Sequence, residues 1–194
     1  MKLCVFQGTF NPIHNAHLRV AKFLQDKFDK ILFIPALDPP HKNVDACNSI
    51  HRLNMVKLAL DSYEKFNVCD IEYRRGGKSY TYLTICELFN VYNVKGKINF
   101  IIGTDAFDKI ERWYETEKLK ELVKFLVFPR EENFNNSRYN VLREKGYDFE
   151  IQNLPFKNIS ATELREKIKS GDDVSHYLPQ KVKEYIEYNE LYKA

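Results

Sequence analysis

Leu3-Cys4-Val5-Phe6-Gln7-Gly8-Thr9-Phe10-Asn11-Pro12-Ile13-His14-Asn15-Ala16-His17 is the stretch on which the fold turns. The apolar run 3–6 reads as a short strand, Gly8-Thr9 breaks it, and a helix-period segment starts near residue 16. Gly8 lets the backbone approach a phosphate closely, and a helix N-terminus offers unpaired N–H groups to an anion. His14 and His17, three residues apart, share one face of that first turn. From the histidines alone a capped, solvated helix start would be an equal reading. Strand, glycine turn and His-x-x-His in this order favour an anion site.

Outward from this stretch, short apolar runs at 31–35, 68–71, 98–102, 125–128 and, weaker, 149–151 alternate with helix-period segments at 16–27, 49–63, 80–92, 115–122 and 137–145. Strands of this length alternating with helices predict right-handed βαβ units. The fold class is therefore α/β: a Rossmann-like parallel sheet with helices on both faces. After Pro155 only helices are predicted, at 161–169 and 179–188, with Gly171 as a C-cap and Pro179 in a first turn. The reading is one domain over 1–194, with a core at 1–155 and a C-terminal helical extension at 156–194. Segments entering strands are plain and charged, whereas those leaving strands (7–17, 36–42, 73–81 and 103–107) are rich in Gly, Pro, His, Thr and Asp. Ligands of open α/β sheets bind beyond the carboxyl ends of the strands, so these four segments should meet at one edge.

Composition excludes several classes. With 194 residues, 44% hydrophobic and 29% charged, the chain suits a globular protein, and no stretch reaches the roughly 20 apolar residues of a membrane span. The N-terminal apolar run is too short for a signal peptide, which places the chain in the cytosol and makes Cys4, Cys47, Cys69 and Cys86 free thiols. A net charge of +3 gives no case for nucleic acid. Gly77-Lys78-Ser79 copies the end of a P-loop, but Glu72 stands where its first glycine must be. No Gly-x-Gly-x-x-Gly occurs, which argues against a dehydrogenase. The tyrosine-rich tail, 185–192, reads as helix packing, with a homo-oligomer contact as the other option.

A second motif lies near the C-terminus. In Ile159-Ser160-Ala161-Thr162-Glu163-Leu164-Arg165, Ser160 is an N-cap, Thr162 sits in the first helical turn and Arg165 follows a turn later. Their hydroxyls and guanidinium can hold a di- or triphosphate. Alone, the motif is more often just a capped helix. Trp113, the only tryptophan, lies among Glu111, Arg112 and Glu115, a polar setting that favours a stacking platform over a core role. Asp105, beyond Gly103 at a strand end, suits ribose hydroxyls, with a helix cap as the plainer alternative.

The first motif resembles the nucleotidylyltransferase signature, a Gly-Thr-Phe turn followed by His-x-Gly-His. The second is similar to that superfamily's Ile-Ser-x-Thr-x-x-Arg. Gln7 stands where the family usually has Gly, Ala16 replaces the Gly of the signature, and Asn11 a frequent Asp. Pro39-Pro40-His41-Lys42, Arg74 with Ser79-Tyr80-Thr81, Ile102-Gly103-Thr104-Asp105 with Trp113-Tyr114, and the tail 178–192 extend the resemblance over nearly the whole chain. They narrow it to the bacterial-type nicotinate mononucleotide adenylyltransferases. The resemblance implies transfer of the adenylyl group of ATP to nicotinate mononucleotide, a step of NAD biosynthesis, with Mg²⁺ arriving on the ATP. It implies His14, His17 and Arg165 as catalytic residues. ATP would meet Gly8, Thr9, Phe10, His17, Gly103, Asp105, Ser160, Thr162 and Arg165. The mononucleotide would meet Lys42, Thr81, Asp105, Trp113 and Tyr114.

Other readings stay open at this point. A sibling acting on nicotinamide mononucleotide or phosphopantetheine, or a non-catalytic nucleotide sensor, would share the fold. A class I aminoacyl-tRNA synthetase relative would share the His-x-x-His logic but should carry a Lys-Met-Ser-Lys-Ser-like loop, which is missing from the sequence.

Overall fold

Successive side chains of a strand point to opposite faces of its sheet, and this alternation builds two separate cores. In β1 (Leu3–Gly8), Leu3 and Val5 enter one hydrophobic cluster and Cys4 the other. The computed structural model describes residues 1–41, 48–131, 134–154 and 159–193. Its sheet also contains β2 (Lys30–Pro35), β3 (Phe66–Val68), β4 (Ile98–Gly103), β5 (Val123–Phe128) and β6 (Phe149–Ile151). The order is β3-β2-β1-β4-β5-β6, with every neighbouring pair parallel. All six strands therefore end at one edge, and β1, in the middle, lies where the strand order reverses.

One face carries α1 (Asn15–Leu24), α2 (Ser49–Leu60), α8 (Ala161–Ser170) and α9 (Gln180–Tyr188), which pack Leu24, Met55, Leu164 and Val182 against Ile31, Phe33 and Leu126 of the strands. The other face carries α3 (Ile71–Arg75), α4 (Thr81–Val91), α5 (Thr104–Phe107), α6 (Thr116–Leu122) and α7 (Asn140–Glu144), whose Ile85, Leu88, Phe107 and Leu119 cover Leu32, Phe100 and Phe125. Gly171 adopts φ 80° after α8 and donates its N–H to Ile168, while Asp172 N–H reaches Lys167. This is the C-cap that the glycine was expected to form.

Several boundaries differ from the sequence reading. The third strand was expected at 68–71 but occupies Phe66–Val68, and Ile71 instead opens α3, a helix not foreseen. The chain turns there because Glu72 is drawn into the interior, where one carboxylate collects donors from three directions. The short α5 was also not foreseen. The first helix is regular only to Leu24 before a 3-10 turn, the helix at 137–145 splits into a 3-10 turn and α7, and Pro179 is the N-cap of α9, one place before its first turn. Among the described residues Cys4, Cys69 and Cys86 are free thiols, and burial pushes Cys4 well above the usual thiol range. No described helix is long and apolar enough to cross a membrane.

Candidate active site

The turn between β1 and α1 is rigid for reasons visible residue by residue. A methyl group on Gly8 would press on the ring of Phe10 at 3.1–3.4 Å, so the glycine makes room for that aromatic ring. Phe10 has φ 46°, a left-handed conformation that a bulky residue adopts only under constraint. Its buried ring packs edge-on against Phe6 and His17. His14 is the N-cap of α1, 4% exposed, with its ring stacked on that of His17 at 3.7 Å. Burial first, and then the charge of Arg130, push the His14 imidazole down to about 4, so it is neutral at physiological pH. The His14 backbone N–H donates to His17 Nδ1 at 3.2 Å. A neutral His17 that accepts at Nδ1 carries its proton on Nε2.

The two sequence motifs, some 150 positions apart in the chain, meet here. Arg165 donates to the carbonyl of Asn11 at 2.8 Å and to Thr162 Oγ1 at 3.2 Å. Tyr192 O–H donates to Asn11 Oδ1 at 2.7 Å, and Asn15 N–H donates to the Tyr177 carbonyl. Ser160 caps α8 in a reciprocal box with Glu163: its Oγ accepts the Glu163 N–H, and both its N–H and its hydroxyl donate to Glu163 Oε2. The Ser160 hydroxyl is thus engaged in the cap, while Thr162 is exposed.

On the other side of β1 lies an aromatic group. Thr81 is the first residue of α4, half-buried, with Tyr80 as the N-cap. Tyr80 and Tyr114 stack at 4.5 Å, and Tyr114 is 46% exposed. Trp113 is half-buried and meets Phe100 of the core edge-on at 6.1 Å, so it combines a core contact with partial exposure. At the end of β4, Asp105 pairs with Arg130 at 3.2 Å, and both side chains crowd over Gly103, where a methyl would come within 2.8 Å of either. Gly103, not Asp105, is the N-cap of α5. His41 is exposed, and Lys42 lies outside the described residues.

The cytidylyltransferase-like family model matches residues 5–167. A probable nicotinate-nucleotide adenylyltransferase of Clostridium tetani is 38% identical, with 99% of each chain covered. The chain belongs to the nicotinate-nucleotide adenylyltransferase family. Solved structures with the same fold include Plasmodium falciparum nicotinic acid mononucleotide adenylyltransferase complexed with NaAD (21% identity, TM-score 0.81) and the same protein complexed with APC (23% identity, TM-score 0.75). Each comparison covers 98% of this chain and 96% of the other.

Within this adenylyltransferase framework, sequence reasoning missed three charged residues. Arg52 is fully buried and donates to the carbonyls of Thr9, Ala36 and Leu37. Glu72, 1% exposed, accepts from Gln7 Nε2, Thr84 Oγ1 and the Leu37 N–H. Arg130 follows β5, and its charge adds to the effect of burial in lowering the His14 imidazole. The only signal for Arg130 was its place just past an apolar run, in a segment leaving a strand.

Proposed function

We propose that this chain joins nicotinate mononucleotide to the AMP half of ATP, in the cytosol. The observation that carries the reading is the Arg165 to Asn11 bond, which draws the second motif onto the turn bearing His14 and His17. An oxygen of the mononucleotide 5′-phosphate attacks the α-phosphorus of ATP in line. The new phosphoanhydride bond forms as the bond from the α-phosphorus to the α,β-bridging oxygen breaks, and pyrophosphate leaves with that electron pair. The nucleophile is already an anion, so no strong base is needed, and positioning plus charge stabilisation supply the acceleration.

His17 Nε2–H donates to the phosphate oxygens as charge shifts during transfer. His14, neutral and packed on it, sets the ring's orientation and contributes to the phosphate side. Arg165, with Thr162 and the N-terminus of α8, holds the leaving pyrophosphate, and Gly8, Thr9 and Phe10 offer backbone groups to ATP. Ser160 contributes mainly through the cap it shares with Glu163. Asp105 takes ribose hydroxyls when it exchanges its bond to Arg130 for them. Trp113 and Tyr114 flank the pyridine ring, Thr81 places a helix N-terminus near its carboxylate, and Lys42 adds charge for the mononucleotide phosphate. Mg²⁺ enters as part of the ATP substrate. Among the described residues no group of three His, Cys, Asp or Glu gathers to hold a metal. The residues at 156–194 belong to the same functional unit, because Arg165 and Tyr192 both reach Asn11.

The test is turnover of ATP and nicotinate mononucleotide with Mg²⁺, following pyrophosphate and dinucleotide together. Equal amounts of both products are expected. Absence of turnover, or turnover with phosphopantetheine instead, would overturn the reading.

A further inference from the structure

Arg52 sits on α2 with no side chain exposed to solvent and, among the described residues, no carboxylate within ion-pair distance. Its Nη1 donates to the Thr9 carbonyl at 2.8 Å and to the Ala36 carbonyl, and its Nη2 to the Leu37 carbonyl at 3.0 Å; its Nε has no partner. Burying a guanidinium without a counter-charge is unfavourable, and an apolar side chain of similar volume fills such a place at lower cost. Stability alone does not account for an arginine here.

Its acceptors say what it does. Thr9 follows β1 and Ala36-Leu37 follow β2, so one planar fork bridges the exits of two adjacent strands at the site edge. Leu37 is held from both sides, because its N–H donates to buried Glu72 at 3.1 Å while its carbonyl accepts from Arg52. The Thr9 carbonyl belongs to the peptide unit that leads into Phe10, the residue at φ 46°. A trans peptide is planar, with C=O and N–H pointing opposite ways. Fixing the Thr9 carbonyl toward α2 therefore fixes the Phe10 N–H away from it, beside a backbone angle that would otherwise relax.

We propose that Arg52 is a positioning residue for adenylyl transfer: by holding the Thr9 carbonyl it sets the direction of the Phe10 N–H, and it locks the turn after β1 to the segment after β2. It touches no substrate and acts through the backbone. Lysine cannot replace it fully, since one ammonium cannot span three carbonyls with the geometry of a planar fork. The inference rests on the adenylyl-transfer reading above.

The experiment compares wild type, Arg52→Lys and Arg52→Met by steady-state kinetics in both substrates, thermal midpoint and amide hydrogen exchange over residues 7–13 and 34–38. Per folded molecule, Arg52→Met should lose about 100-fold in kcat, the size of effect that a misplacement of about 1 Å produces, with either KM changed less than about threefold. Arg52→Lys should fall between, and in both variants exchange protection should drop over 7–13. If Arg52→Met does not fold, the lysine variant gives the same reading at about a tenfold loss. Wild-type kcat per folded molecule, or unchanged protection over 7–13, would overturn the proposal. An inactive wild type would instead overturn the reaction itself, and the exchange arm would still decide whether Arg52 braces the turn.

Discussion

The two sides of β1 are built by different means. On the side of α1 and α8, distant segments are tied by bonds involving side chains, Arg165 and Tyr192 to Asn11 and Asn15 to the His176 carbonyl, and within the first turn of α1 the His14 N–H donates to His17 Nδ1. On the side of α4 and α6, the proposed ring pocket rests on aromatic contacts, Tyr80 on Tyr114 and Trp113 on Phe100, with Tyr114 nearly half exposed. Hydrogen bonds of fixed geometry hold the groups proposed to meet the reacting phosphates in place before substrate arrives, which is where preorganisation matters for rate. Stacked, partly exposed aromatics adapt to a flat ring, which suits recognition. The phosphate side should therefore govern kcat, and the ring side should govern which mononucleotide is taken.

The largest effect should fall on the phosphate side. His17→Ala is expected to lower kcat by roughly two to three orders of magnitude while circular dichroism stays unchanged, comparable with loss of an oxyanion donor. A near-normal kcat in the folded variant would remove His17 from the chemistry and blur the contrast between the two sides.

A second effect concerns how the phosphate side is held in the folded state. His14 is pushed down to about 4 by burial and by Arg130, whereas in the unfolded chain it titrates near its ordinary value of about 6.5. Above that value both states are neutral and stability is full. As pH falls from about 6.5 to about 4, only the unfolded state gains the proton, so this group should cost about 3 kcal/mol across that window and nothing further below it. Urea unfolding at pH 7 and pH 4.5 should show the loss, and His14→Asn should flatten it. An identical pH slope in the two proteins would mean that His14 is not buried neutral.

On the ring side, the acid substrate should be preferred to its amide. Thr81 opens α4, where amides lack helical partners and the positive end of the dipole favours a carboxylate. The NH₂ of an amide would face those donors and leave groups unpaired, at about 1 to 3 kcal/mol each. Wild-type kcat/KM should favour nicotinate over nicotinamide mononucleotide by at least roughly 100-fold. Comparable values would refute this pocket and leave the transfer chemistry standing.

Legibility in the sequence follows the same divide between local and distant causes. The turn at Gly8-Thr9, the paired histidines and the capped helix at Ser160 are short-range patterns, and each was readable where it stood. The convergence of strand exits at one edge followed from the alternation of strands and helices. Arg52 was not readable, because an arginine in an amphipathic helix looks solvated until the fold places it under three carbonyls. Glu72 entered only as the residue that spoils a P-loop, and its pull on the chain is also why the third strand ends at Val68. Trp113 was read from its polar neighbours, but its contact with Phe100 comes from the sheet, some 13 residues earlier in sequence.

The contrast between the two sides is tested most directly by a crossed measurement of Michaelis constants. Both substrates are titrated against wild type, Arg165→Ala and Trp113→Ala, each checked for folding. Arg165→Ala is expected to raise the KM for ATP by about tenfold or more with little change for nicotinate mononucleotide, because a guanidinium on the β- and γ-phosphates serves only ATP. Trp113→Ala is expected to do the reverse, and to weaken acid and amide alike without inverting the preference. Equal shifts for both substrates in either variant would contradict a site divided at β1 into a phosphate side and a ring side.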